Sequence, residues 1–412
     1  RALMSKLFNQ KFILSFSILV LITFCLYPFI VLIGKVLFSG TDGAFNLHYV
    51  QKAFLSKSTF KAITNTIWVS LASALFSTLL AIPLSWVLTR TNLPKAGVWR
   101  SLFCLPYAIP PYIGAIAWIY LANPSNGLIN ELFGAKLFNI YSSGGLIWVM
   151  GSFFYTFIHL SLSSALDRMD PSLEEAARLS GAGPFRIFFQ ITLPIVWPSL
   201  MSGVLLVILA AAASFGVPAL IGNPAGIYLM TTKIYTYQKM GSLSGIYQSG
   251  AISIILLILA IIILVVNQKI LSRDHFKTVS GKTSRHSLID LGKWKGVISF
   301  FLAIFIFILF ILPILGISFT ALSKIQGKFE LSNLGFQNFH KVFFEVNETP
   351  RAFRNSLVLA FVVATVATFF GMIMSYINVK TRIKGRSLIE IFASLPYATP
   401  GTVLALAFIL SF

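Results

Sequence analysis

Nine uncharged stretches of roughly 20 residues divide this chain, each of the length an α-helix needs to cross a hydrocarbon layer of ~30 Å. They are Phe12–Ile33, Ala62–Leu88, Ser101–Ala122, Gly145–Leu166, Ile191–Ala213, Gly250–Val266, Val297–Phe319, Asn355–Val379 and Ile391–Phe412. Lipid offers backbone amides no water partner, so segments that span it close their hydrogen bonds internally, as helices. Only 11% of the residues are charged and the mean hydropathy is +0.84, whereas a soluble domain carries about 25% charged residues. The expected fold is an all-α polytopic membrane protein with about nine transmembrane helices. The first run has a basic flank of Arg1, Lys6 and Lys11, as a signal peptide would. Its 22 residues are too long for a signal core, so it reads as an uncleaved helix. Cys25 and Cys104 both fall within predicted spans and lack paired spacing, which points to neither a disulfide framework nor a metal site.

The net charge of +20 raises nucleic acid as a partner, but its distribution points to a membrane. With the N-terminus taken as cytoplasmic, the inside segments hold 20 Lys and Arg in about 88 residues, and the outside segments 12 in about 121. That is the positive-inside bias, and it suits an anionic inner leaflet. Lys380, Arg382, Lys384 and Arg386 form the densest cluster, in a loop assigned to the inside.

A repeat organises the chain. "LPYAIP" at Leu105–Pro110 returns as "LPYATP" at Leu395–Pro400, an offset of 290. At the same offset Asn65 meets Asn355, Thr78 meets Thr368, Ser85 meets Ser375 and Thr91 meets Thr381. Six spans precede the second copy, so both copies face the same way, as parallel repeats related by an axis along the membrane normal. The expected organisation is a first six-helix domain over 1–266, a basic cytoplasmic linker over 267–296 and a second domain over 297–412, incomplete at its C-terminus. The second copy stops inside its third helix, so the chain reads as a fragment of a twelve-helix protein.

Charge, small residues and glycine gather in "EEAARLSGAGPFRIFFQITLP", from Glu174 to Pro194, within a loop over 170–194 between the fourth and fifth spans. Asp170 offers an N-cap with Pro171 at the first helical position. Ser172 and Glu175 offer an alternative capping box. Either register puts Glu174 and Glu175 at the positive end of a helix. Gly181 and Gly183-Pro184 then stop or bend it, and Phe185–Thr192 forms a second short helix. Ala176 and Ala177 leave one side flat, while Phe185, Phe188 and Phe189 offer apolar anchors of the kind that dominate interfaces. By physics alone such a knuckle suits either a docking surface or an amphipathic loop lying on its own helices or on lipid.

The spacing Glu175-Ala176-Ala177, three residues, Gly181, nine residues, Ile191, one residue, Leu193-Pro194 resembles the EAA loop of binding-protein-dependent ABC transporter permeases. That pattern fixes seven positions over 20 residues, and this sequence carries all seven. The resemblance implies a coupling helix seated in a groove on a separate ATPase subunit. Glu174, Glu175, Ala176, Ala177 and Gly181 would face that partner, with Glu175 the polar contact, the alanines the close-packing surface and Gly181 the turn. It further implies two ATPase subunits, an external solute-binding protein and a multi-pass location in a bacterial inner membrane. ATP would be used by the partner, with no cofactor bound by this chain. A second such loop is expected about 290 residues beyond the first. The fused two-half form, with "FGVPALIG" and "IYLMTTKIY", looks most like the ferric-iron type, whose near relatives handle thiamine, phosphonates, polyamines or sulfate.

Other chemistry is sparse. "SGKT" at Ser280–Thr283 lacks the P-loop's earlier glycine, that position being Phe276. No Ser/His/Asp set, HExxH motif or Cys/His cluster occurs, so neither an enzyme nor a metal site is expected. The spans contain no Asp, Glu, Lys or Arg, which argues against a secondary transporter with parallel halves as the alternative. His159 is the only His inside a span, either a pathway group or a hydrogen-bonding partner across a helix interface. Pro106, Pro110 and Pro111 open the third span, Pro396 and Pro400 the ninth, and "SFGVPALIGNPAG" interrupts the chain after the fifth. Broken helical backbone at membrane depth is tolerated where it lines a cavity or packs on protein. Tyr107, Pro110, Phe215, Tyr397 and Pro400 are therefore the expected translocation path.

Overall fold

The computed structural model describes residues 10–39, 44–271, 288–325, 328, 330–380 and 399–412. Seven helices among them are long and apolar enough to cross a membrane, or eight with one bent pair. They are α1 (Ser15–Leu37), α2 (Lys57–Arg90), the bent pair α3 (Ala96–Ala108) and α4 (Pro111–Ala122), α5 (Ser143–Arg168), and, after a short α6 (Ser172–Leu179), α7 (Pro184–Ala213). There follow α8 (Leu243–Leu271), α9 (Trp294–Leu322), α10 (Glu348–Lys380) and a shorter apolar α11 (Gly401–Ser411). Each of the nine expected runs coincides with one of these, except that 391–398 of the last lies outside the described residues.

The chain divides into two compact units. One comprises 57–233 with 258–320, and the other 1–56, 234–257 and 321–412. In the first unit α5 is the central helix, with 72% of its apolar window buried. α2 packs on it and buries a stripe of small and apolar residues, Thr66, Ser70, Ser73, Ser77, Ala81, Ser85 and Leu88, spaced three or four apart. Small residues let helix backbones approach closely where lipid supplies no hydrophobic drive between helices. Ser77 Oγ reaches the Gly151 carbonyl of α5 at 3.1 Å, and Ser161 on α5 donates to the Ser199 carbonyl of α7 at 2.7 Å. A Cβ added at Gly203 of α7 would stand 2.8 Å from Ile158 Cα, so those two backbones are nearly in contact. His159 Nδ1 lies 2.8 Å from Ser85 Oγ and 3.3 Å from Ser163 Oγ, across the α2–α5 seam. It thus takes the interface role among the two expected for it.

In the second unit α1 packs on α10 through Leu21 and Ile377, with Phe16 and Phe370 stacked at 5.9 Å. Lys35 at the end of α1 donates to the Leu410 carbonyl of α11 at 2.7 Å.

Among the described residues, three spans contain a π turn immediately before a proline. Ile22–Leu26 precedes Tyr27-Pro28, Phe188–Thr192 precedes Leu193-Pro194, and Phe307–Ile311 precedes Leu312-Pro313. A proline ring clashes with the carbonyl four residues back. Widening that turn to an i→i+5 bond, here Tyr27 to Ile22, Leu193 to Phe188 and Leu312 to Phe307, lets the helix continue. The expected separate short helix over Phe185–Thr192 is thereby corrected: it runs through Leu193-Pro194 without a break into α7.

The third span also differs from expectation. Its prolines break it in the middle, where α3 and α4 meet at 92°. A residue before proline is disfavoured in the α region. Ile109 precedes Pro110 and Pro110 precedes Pro111, so two successive residues are extended, at φ −103°, ψ 128° and φ −56°, ψ 130°. No helix survives two such residues.

Candidate functional site

The ends of α2, α5 and α7 meet the loop expected to dock a partner. Asp170 Oδ1 accepts the Ser172 amide at 2.9 Å, a side-chain turn leading into α6, whose N-cap is Pro171 and not the expected Asp170. Helix α6 ends in a complete Schellman turn. The Ala182 amide bonds to the Ala177 carbonyl at 3.0 Å and the Gly181 amide to the Arg178 carbonyl at 2.9 Å, with Gly181 at φ +82°. A side chain at that φ costs about 1–2 kcal/mol. Gly181→Val is expected to lower the protection of the Gly181 and Ala182 amides about tenfold in hydrogen exchange.

The loop exposes several large apolar side chains. Leu179 is 90% exposed and Phe185 80%, and Leu173 and Phe189 are also exposed. Ala176 and Gly181 are exposed, and Glu175 and Ala177 half-buried. Phe188 turns inward, its ring 5.9 Å from Trp86 of α2. Ile191 and Leu193 are half-buried in the run into α7, and Pro194 is exposed. Leu173 and Leu179 were not singled out in the sequence; both flank the small residues of a short amphipathic helix, the available signal for an apolar rim.

Glu174 corrects the expectation that it faces a partner. Its side chain is buried, accepts the Thr192 hydroxyl at 2.5 Å, and lies 3.6 Å from Nε of the buried Arg90. The adjacent carboxylates of α6 stand about 100° apart around the helix axis. Only Glu174 points toward the ends of α2 and α7, where a charge must be paired to be buried. Beside this pair, Arg100 forms a bidentate contact to Asp167 at 2.9 and 3.1 Å and donates to the Leu88 carbonyl, tying α3 to the ends of α2 and α5.

Tyr107, Pro110 and Phe215 lie at or beside breaks in the helices. Tyr107 is exposed, its ring edge-on to Phe157 at 5.5 Å, and Pro110 is exposed at the α3–α4 bend. Phe215 is half-buried in the non-helical link after α7. The two breaks touch: a Cβ on Gly216 would stand 2.6 Å from Tyr112 Cβ. The chain after that link returns to α2, where the Met230 amide donates to Thr66 Oγ1 at 2.8 Å and Asn65 Nδ2 to the Tyr228 carbonyl at 3.1 Å. Pro400 is buried, at the start of α11 in the other unit. Tyr397, with Leu395–Ala398, the 382–386 cluster and Ser280–Thr283, lies outside the described residues.

These features define a multi-pass α-helical membrane protein with a projecting apolar knuckle between its spans. The family described as "Binding-protein-dependent transport system inner membrane component" matches residues 81–273, which include the whole knuckle. The sn-glycerol-3-phosphate transport system permease protein UgpA of Salmonella choleraesuis is 31% identical over 54% of this chain and 75% of its own length. The chain belongs to this family of inner-membrane permease components. The ferric transport system permease protein FbpB of Actinobacillus pleuropneumoniae is 25% identical over 98% of this chain. The chain spans 59% of that relative's length, and 64% of a Haemophilus influenzae relative provisionally described in the same terms. A crystallised bacterial alginate ABC transporter, in complex with an alginate-bound periplasmic protein, shares the fold. It has a TM-score of 0.52 at 20% identity, over 66% of this chain and 98% of that one.

Proposed function

We propose that this chain is the membrane-spanning permease subunit of an ATP-driven importer, and that α6 is its coupling helix. The observation that carries the reading is the knuckle itself. A short helix closed by a left-handed glycine presents Ala176 and a rim of bare apolar side chains, at the position where the family pattern falls. The docked surface is Glu175, Ala176, Ala177 and Gly181 with the rim of Leu173, Leu179, Phe185 and Phe189. The partner is an ATPase subunit on the cytoplasmic side, one per knuckle, and the N-terminus shares that side. A solute-binding protein delivers cargo to the opposite face.

The fused two-half organisation is part of the proposal, and local structure supports it. α2 and α10 have 34 and 33 residues, and each is preceded by a short helix. The first span of each half carries a π turn before a proline. Pro110 at φ −56°, ψ 130° has its counterpart in Pro400 at φ −55°, ψ 133°, each capping the next helix.

Ferric iron is the proposed cargo, because the relatives that match along 98% of the chain are ferric transport permeases. The spans bring no carboxylate cage of their own, so selection rests with the binding protein. Relatives named for sn-glycerol-3-phosphate and sulfate match shorter stretches.

Co-purification of the full-length protein tests the coupling role. Wild type is expected to retain an ATPase subunit, and Glu175→Arg with Gly181→Trp to lose it. An ATPase that never binds, or that binds the double variant equally, rejects the reading. For the path, cysteines at Tyr107 and Phe215 are expected to change their rate of labelling by an impermeant maleimide when ATP is trapped on the partner. Constant rates reject that assignment.

A further inference from the structure

Arg90 is 3% exposed, yet its Nε is 3.6 Å from the Glu174 carboxylate, and neither Nε nor Nη2 has a hydrogen-bond partner. A charge-assisted N–H···O bond closes at about 2.7–2.9 Å. The two charges attract, but the Nε and Nη2 donors of the arginine fork are unused. The carboxylate oxygen it faces is instead taken by Thr192 of α7.

The backbone of Arg90, by contrast, is clamped. Its carbonyl accepts the Ile289 amide at 2.9 Å, and the Asn92 amide donates to the Ile289 carbonyl at 3.1 Å. The Asn92 side chain accepts the Leu291 amide at 3.0 Å and donates to Asp290 at 2.6 Å. Asp290 in turn pairs with Lys295 in the first turn of α9 at 3.4 Å. One residue therefore joins three elements: α6 through its side chain, α2 by its position, and the segment entering α9 through its backbone.

We propose that Arg90 is the positioning residue that carries displacement of α6 to α2 and to the entry of α9. A shift of α6 of under about 1 Å converts the open 3.6 Å contact into a hydrogen-bonded pair. The clamp at Ile289–Leu291 makes the α9 entry follow. This rests on the permease reading, since the displacement is supplied by the ATPase partner.

The test uses the full-length protein with its ATPase, in a background where Cys25 and Cys104 are replaced and Phe215 is a cysteine. The readout is the change in maleimide labelling when ATP is trapped, beside ATPase capture and ATP turnover. Wild type is expected to change about fivefold or more, a typical coupling magnitude. Arg90→Lys keeps the charge but loses the planar fork. Asn92→Ala removes the side-chain half of the clamp, its bonds to Leu291 and Asp290, without touching the ion pair. Both are expected to retain capture and turnover while losing most of the labelling change. A wild-type response in either variant overturns the proposal and leaves the permease reading standing. Loss of ATPase capture in Arg90→Lys also overturns it, since the pair then only holds the loop in shape. Failure of wild type itself to capture an ATPase removes the permease reading and this inference with it.

Discussion

Arg90→Ala is expected to destabilise the protein by about 3–5 kcal/mol, the cost of leaving one member of a buried ion pair unpaired. Glu174 is the member left behind, 4% exposed, with the Thr192 hydroxyl as its remaining partner. A single hydrogen bond to a charged group contributes roughly 1.5–3 kcal/mol and does not replace a cation. Neutralising both partners together removes the orphaned charge, so Arg90→Ala with Glu174→Ala is expected to be less harmful than the single change. The measurement is the fraction of protein that stays monodisperse in detergent across a heating series. Equal stability of Arg90→Ala and wild type would show that water, not Arg90, solvates the carboxylate.

Gly203→Val is expected to have an effect of similar size for a different reason. An added Cβ at this position meets Ile158 at its Cα, 2.8 Å away, and backbone cannot rotate aside as a side chain does. Overpacking of a tight core costs typically 1–3 kcal/mol and more where nothing relaxes. The seam that opens is the one between α5 and α7, which also holds the Ser161–Ser199 hydrogen bond. Gly151→Val is the control. Its Cβ would meet the Phe76 ring at 2.4 Å, and an aromatic side chain has another rotamer to adopt. The heating series is expected to rank Gly203→Val below Gly151→Val, and the reverse order would place the tightest contact at the α2–α5 seam.

Hydrophobic run length located the spans because a membrane imposes one dominant constraint, and residue chemistry located the Gly181 turn because it acts within four residues. The inward turn of Glu174 was not legible in this way. Glu174 and Glu175 are identical in type and adjacent in sequence, and what separates them is Arg90, 84 residues away at the end of another helix. The bend between α3 and α4 was half legible. Pro110-Pro111 requires extended backbone whatever the surroundings, while the 92° angle comes from packing against α5 and the link after α7. Phe185, Phe188 and Phe189 looked alike as anchors, yet Phe188 turns inward to Trp86, Phe189 stays exposed with its ring against Phe188, and Phe185 is 80% exposed.

α2 is 34 residues long, and at 1.5 Å per residue it measures about 51 Å. The hydrocarbon slab is ~30 Å thick. Roughly 20 Å of the rod, and somewhat less if it is tilted, therefore stands in the headgroup layers and beyond. Arg90 is the last residue of that rod. Its burial is the work of neighbouring protein and not of lipid, so its charge survives where a cation at mid-bilayer would be costly. A long helix gripped within the slab and tied at its tip to α6 and to the segment entering α9 gives those two segments leverage on its far end.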